Sequence, residues 1–259
     1  MNQDLKKHTE RISILNKTNC AMLYNPQLLG NPSASFVDGD ILQESASVQR
    51  ITSGGRGQAW FVELDGLSGV LRKYMRGGLI ARLVRQTYIS FSFENTRSVK
   101  EWRLLQWMQA RGLPVPQPIA ASVCRWPFKF SPFYRAQILV RRIPNVQTLD
   151  QLLARQALST AEWQSVGECI CEFHIAGVYH ADLNANNILR DTKGKVYLID
   201  FDKGELRNIN AKTNAWMQEN LQRLKRSLLK QQRINSQYYF TEENWQWLID
   251  AYEVGSSLE

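Results

Sequence analysis

The stretch HADLNANNILRDTKGKVYLIDFDKG, residues 180–204, limits what this chain can fold into more than any other segment. It sets the carboxylates of Asp182, Asp200 and Asp202 and the amide of Asn187 among Leu183, Ile188, Leu189, Leu198 and Ile199. Carboxylates beside residues that want burial are costly unless something cationic or a proton-transfer task occupies them. The fold must therefore bury the apolar residues of this segment while giving its acids a cation or a proton to handle.

The rest of the chain has the material for such a fold. At 259 residues, 44% of them hydrophobic, it can form one large or two modest domains with a real core. No run approaches the roughly 18 to 20 apolar residues of a membrane-spanning helix. The start, MNQDLKKHTERISI, has no apolar region of a secretory signal, so a cytoplasmic location is expected. Cys20, Cys124, Cys169 and Cys171 include no CxxC pair and are expected to be buried thiols. The formal charge is +8, unevenly spread: residues 66–149 hold fourteen Lys or Arg and only two acids, Glu94 and Glu101. Nucleic acid, a nucleotide or an acidic membrane surface would satisfy that field; a merely solvated basic face is the plainer alternative. No recognition helix, zinc spacing or aromatic RNA-binding signature supports nucleic acid, and none is expected as a partner.

Short segments rich in β-branched and aromatic residues, VQRI (48–51), WFVEL (60–64) and GVLRKY (69–74), are separated by glycine-bearing turns and predict antiparallel hairpins. Residues 98–111 follow helical periodicity and stop at Gly112, before a proline-rich loop, LPVPQPIA; AQILVRRIP (136–144) predicts one more strand. The second half is mostly helical. Ser159 and Glu162 have capping-box spacing, Trp163, Val166, Ile170 and Phe173 share a face, and Gly177 supplies a stop. Met217, Leu221, Leu224 and Leu228 form another apolar stripe, with Arg223, Arg226, Lys230 and Arg233 on a neighbouring face. The division expected is a sheet-plus-helix unit over residues 1–141 and a helical one over 142–259.

In the quoted stretch, Asp182 and Asn187 stand five apart in H-x-D-L-x-x-x-N, and Asp200 follows the strand KVYLID after a turn at Lys193 and Gly194. This layout suits phosphoryl transfer: one carboxylate orients a hydroxyl and accepts its proton, while hard oxygen donors hold Mg2+ on a polyphosphate. Asp182 fits the first role, Asn187 and Asp200 the second. The segment resembles the protein-kinase-like superfamily, with HADLNANNIL in the place of the catalytic loop and DFD (200–202) in the place of DFG. The resemblance implies an α+β, bilobal, protein-kinase-like fold, a small antiparallel sheet lobe plus a mainly helical lobe. It implies ATP and Mg2+ as cofactors.

Upstream, Gly54, Gly55 and Gly57 in TSGGRGQAWF would let backbone amides approach phosphates. The third strand should carry a cation to the α- and β-phosphates. Aligning VLR on the usual A-I-K places Arg72 there, with Lys73 as competitor; adjacent strand residues face opposite ways, so only one can serve. Glu101 would pair with that cation, although Ser98 to Glu101 is also a capping-box spacing. His180 is expected to pack and hydrogen-bond rather than to act as acid or base. Asn184 stands where protein kinases have a phosphate-contacting lysine, and nothing like an APE element follows DFD, which points away from peptide substrates.

Taken together and in order, LRKYMRGGL, TRSVKEWRLLQWMQARGLPVPQPIAA, HADLNANNIL, LIDFDKG and NLQRLKRS are similar to the lipopolysaccharide kinase family and, within it, to kinases of 3-deoxy-D-manno-octulosonic acid (Kdo). The similarity covers about residues 50–250. It implies phosphorylation of the 4-hydroxyl of Kdo on Kdo-lipid A, peripherally at the cytoplasmic face of the bacterial inner membrane. Arg76, Arg82, Arg85, Arg223 and Arg226 would then contact the anionic glycolipid. A kinase of core heptose would share every catalytic residue; an inactive kinase fold serving as a binding module is the other reading.

Overall fold

Two runs rich in β-branched and aromatic or aliphatic residues, Gln58–Leu64 and Leu67–Lys73, joined through Gly66 at φ 80°, form a two-stranded antiparallel ribbon around which the first part of the protein is built. The structure, a computed structural model, describes residues 13–17, 19–30, 32, 46–51, 58–64, 66–74, 88–90, 92–125, 127–209 and 215–257. The chain divides into two units: residues 1–107 with 116–142, and residues 108–115 with 143–259.

In the first unit, β1 (Ser13–Lys17) and β2 (Cys20–Tyr24) lead to a single helical turn, α1 (Pro26–Leu29). β3 (Ser47–Arg50), β4 (Gln58–Leu64), β5 (Leu67–Lys73) and β6 (Tyr88–Ile89) precede the helix α2 (Arg97–Ala110), and β7 (Pro118–Arg125) and β8 (Phe133–Arg141) complete the sheet. The sheet order is β1-β2-β7-β8-β5-β4-β3, with β6 on β8, and the pairings are antiparallel. Met22, Val62, Leu64, Leu71, Ile119 and Leu139 form its apolar core.

Two features of this unit differ from what the sequence predicts. The end of the proline-rich segment is strand rather than loop: Pro118 opens β7, where its missing N–H removes no more than one ladder bond at the strand's first residue. And Cys20 and Cys124 are not thiols. They are directly opposed in the β2–β7 register, with Cα atoms 4.1 Å apart, and form a disulfide; Cys169 and Cys171 are buried thiols, as the sequence predicts.

The second unit contains β9 (Val146–Thr148), α3 (Leu149–Leu153), α4 (Thr160–Ile175), β10 (Val178–Tyr179), β11 (Ile188–Asp191), β12 (Val196–Leu198), β13 (Glu205–Leu206), α5 (Ala215–Ile234) and α6 (Glu242–Ser257). Its strands form two small sheets, β12-β11-β9 and β10-β13. The capping box at Ser159 and Glu162 is formed, and Trp163, Val166, Ile170 and Phe173 are buried. Helix α4 packs so closely on α6 that a Cβ on Gly167 would stand 2.2 Å from the carbonyl oxygen of Leu248. Met217, Leu221, Leu224 and Leu228 bury the inner face of α5.

Candidate active site

The residues expected to carry chemistry fall into two groups, one in each unit. In the first, β5 places Arg72 and Lys73 on opposite faces by strand parity. The guanidinium of Arg72 donates from Nη2 to both carboxylate oxygens of Glu101, at 2.8 and 2.7 Å. The Tyr74 hydroxyl donates to Glu101 Oε2 as well. Glu101 is 3% exposed, so the Arg72 guanidinium neutralises, and the Tyr74 phenol hydrogen-bonds to, a carboxylate that is nearly shut off from water. The capping alternative does not apply: α2 begins at Arg97, which puts Ser98 inside the helix, and the Ser98 hydroxyl donates to the carbonyl of Ser122 at 3.3 Å. Lys73 lies with its Nζ 5.4 Å over the ring of Trp60. Gly54, Gly55, Gly57, Arg76, Arg82 and Arg85 lie outside the described residues.

In the second unit, the loop between β10 and β11 is a web of short-range bonds. The imidazole of His180, fully buried, donates from Nε2 to the carbonyl of Ile199 (2.9 Å) and accepts at Nδ1 from the backbone N–H of Asp182 (3.1 Å). Burial holds its pKa below the usual histidine range, and the two bonds define one neutral tautomer. His180 therefore ties the Asp182 loop to the residue before Asp200, as a wiring group rather than an acid or base. Its ring stands 4.7 Å from that of Phe201, which stacks on Phe173 at 5.6 Å and anchors the DFD segment in the core.

The carbonyl of Asp182 accepts from the side-chain amides of both Asn184 and Asn187, each at 2.9 Å. Asn184 also accepts from Asn186 N–H, which gives it a role within the loop. For Asn187, committing Nδ2 to the loop leaves Oδ1 as the amide's remaining donor atom for a cation. Ile199 N–H donates to the Asn187 carbonyl at 3.0 Å, so the loop and the strand that carries Asp200 are held together at both ends.

With its backbone held in this way, the Asp182 side chain points outward, 66% exposed, and Arg223 on α5 approaches its Oδ1 at 3.6 Å. Arg226, one turn on, is exposed. Asp200 has φ 64°, a left-handed conformation that an aspartate adopts at a cost and that functional sites often retain. Asp202 is half-buried. Among the described residues no three His, Cys, Asp or Glu side chains converge into a metal cage. Magnesium held by one amide oxygen, one carboxylate and phosphate oxygens requires none, and the hard oxygen atoms of Asn187 and Asp200 fit that ion.

One positioning residue escaped the sequence reading. Asn220, buried on α5, accepts from His180 N–H (3.2 Å) and donates to the His180 carbonyl (3.0 Å), clamping the start of the loop. It also meets Nε2 of His174 at 3.4 Å, and the other ring nitrogen of His174 is 2.9 Å from the Tyr252 hydroxyl. Burial lowers the His174 pKa to about 4. The signal was available: an asparagine interrupts the apolar stripe between Met217 and Leu224, and a buried amide must be hydrogen-bonded.

Comparison with known proteins bears on this geometry. The family described as "Lipopolysaccharide kinase (Kdo/WaaP) family" matches residues 42–252. A protein of Xylella fastidiosa (strain M12) named 3-deoxy-D-manno-octulosonic acid kinase is 46% identical over 180 residues, 70% of this chain and 69% of its own length. Proteins of the same name from Xanthomonas axonopodis pv. citri (40% over 234 residues, 90% of each chain) and Vibrio parahaemolyticus serotype O3:K6 (36% over 234 residues, 90% of this chain and 94% of the relative) extend the similarity over nearly all of it.

Proposed function

Because the chain belongs to the lipopolysaccharide kinase (Kdo/WaaP) family, we propose that it is an ATP-dependent kinase that phosphorylates the 4-hydroxyl of a Kdo sugar on a lipid A-linked acceptor. The observation that carries this reading is the Asp182 loop. Its backbone is satisfied by His180, Asn184 and Asn187, so the one carboxylate it presents is outward, oriented and available to a hydroxyl.

Asp182 would orient the attacking sugar hydroxyl and accept its proton as the phosphoryl group is transferred in line, with no covalent enzyme intermediate. Asn187 and Asp200 would hold Mg2+, which supplies charge neutralisation on the phosphate oxygens when bound. Arg72, steered by Glu101 and Tyr74, would contact the α- and β-phosphates as a planar donor in place of the usual lysine. Gly54, Gly55 and Gly57 would offer backbone N–H groups to the same phosphates.

Arg223 stands beside the base itself, and Kdo is a carboxylate; the sugar acid would replace Asp182 as the partner of this guanidinium when the acceptor arrives. Arg226, Arg76, Arg82 and Arg85 would face the anionic remainder of the glycolipid. No helix among the described residues is long and apolar enough to cross a membrane, and a peripheral position on the cytoplasmic face of the inner membrane suits a basic protein with a lipid-anchored acceptor.

The test is to incubate the protein with ATP, Mg2+ and either Kdo-lipid A or a heptosylated core acceptor, and to locate the new phosphate by mass spectrometry and NMR. Phosphate at the Kdo 4-position is expected. Phosphate confined to heptose would reassign the acceptor while leaving the catalytic residues in place, and no transfer to either would remove the enzyme reading.

A further inference from the structure

The turn between β7 and β8 shows apolar side chains that the fold itself does not need. Residues 127–133 read PFKFSPF, and here Phe130 is 86% exposed and Phe128 59%. Phe133 is exposed too, and so is Ile89, its cross-strand partner on β6 at 55% exposure. Single exposed apolar residues are ordinary, but four large ones gathered on one turn and its neighbouring strand mark an interaction surface.

The turn is held firmly in this display. Ser131 N–H donates to the Phe128 carbonyl (3.0 Å), Phe133 N–H to the buried Ser131 hydroxyl (3.1 Å), and Ser90 N–H to the Pro132 carbonyl (2.8 Å). The Arg125 guanidinium bridges the carbonyls of Ser131, at 2.9 Å, and Ser90. These bonds fix the backbone of the turn, and the rings of Phe128 and Phe130 are left exposed.

The charges around the rings indicate what they meet. Lys129 stands between the two phenylalanines, its Nζ 5.9 Å over the Phe130 ring, and Arg135 is exposed on β8. The turn also lies within residues 66–149, where fourteen basic residues face two acids. Aromatic rings that enter the acyl boundary, with cations left at headgroup level, match the interface of an anionic bilayer. We infer that the β7–β8 turn is a membrane-docking element that inserts Phe128 and Phe130 into the interface of an acidic phospholipid bilayer. The inference rests on the reading of a lipid-anchored acceptor given above and names the surface that would bring the enzyme to it.

Vesicle sedimentation tests it, with the full chain and vesicles of phosphatidylethanolamine and phosphatidylglycerol against vesicles of phosphatidylcholine. The wild type should favour the anionic vesicles. Phe128→Ser/Phe130→Ser should lower partitioning about tenfold or more, and Lys129→Glu by about fivefold or more. Phe128→Trp/Phe130→Trp should retain binding, since tryptophan also suits the interface. All variants should melt with the wild type, because the replaced side chains are exposed. Partitioning of the folded serine variant equal to the wild type would overturn the inference, as would equal loss in the tryptophan variant; binding that ignores the phenylalanines would leave the patch to a protein partner. Phosphorylation of a deacylated, water-soluble Kdo saccharide separates the two readings. Every variant should match the wild type on it; a wild type inert toward this acceptor defeats the kinase reading, whereas absent vesicle binding with intact transfer defeats only the docking.

Discussion

The two groups of charged residues in this protein deal with their charge in opposite ways. In the first unit, Glu101 is sealed from water and answered by Arg72 and Tyr74, so its carboxylate is internal to the fold. In the second, the Asp182 carboxylate is outward, and it is the backbone around it that is satisfied, by an imidazole and two amides. A buried ion pair couples function to stability, because removing one partner strands the other in a poor solvent. An exposed carboxylate on a braced loop carries little folding energy and can be given over to chemistry. The comparison separates residues whose loss should unfold from those whose loss should only disable.

The largest effect is expected at the exposed acid. Asp182→Ala should lower kcat between about 100-fold and 10,000-fold, with the melting temperature and ATP Kd near those of the wild type. A parallel loss of stability would erase the distinction. Glu101→Ala should do the reverse in kind, costing about 3 kcal/mol or more in urea unfolding, since Arg72 and the Tyr74 hydroxyl lose their partner. The double change Arg72→Met/Glu101→Leu should recover much of that stability while ATP binding remains impaired, which would sharpen the contrast.

A third test uses pH. His174 is held to about 4 against an ordinary 6.5, and His180 is shifted in the same direction, both by burial. Between those values the unfolded chain binds protons that the folded chain refuses. Stability should thus be level above pH 6.5 and fall as the pH drops toward 4, by about 3 kcal/mol from His174 alone. Equilibrium unfolding across that range should show the slope, and His174→Gln should remove much of it. The smallest effect should come from Lys73→Met, which should change the ATP KM by about twofold or less, against about tenfold for Arg72→Met. Equal effects would deny that strand parity chooses between them.

Much of the second unit was legible because its signals are local. The capping box at Ser159, the face of Trp163, Val166, Ile170 and Phe173, and the stripe from Met217 to Leu228 all follow from periodicity within one helix. The DFD segment was legible as a motif, although the left-handed backbone of Asp200 was not. In the first unit, the strands around β4 and β5 could be read from their β-branched and aromatic content and the glycine-bearing turns between them, but the Cys20–Cys124 bond could not. That bond joins residues 104 apart, through a strand pairing that no local pattern announces.

The identity and order of the chemical groups, an aspartate and an asparagine five apart with a second aspartate beyond a hairpin, are properties of the chain itself, because spacing along a backbone survives into any fold that contains it. Which charges are paired and which are presented is a different matter. Arg72 rather than Lys73 meets Glu101, and Asn220 grips the loop from a distant helix, through contacts between segments that lie far apart in the chain. Burial and hydrogen bonding depend on what comes to lie alongside, so packing alone could make Glu101 an internal anchor and leave Asp182 facing outward.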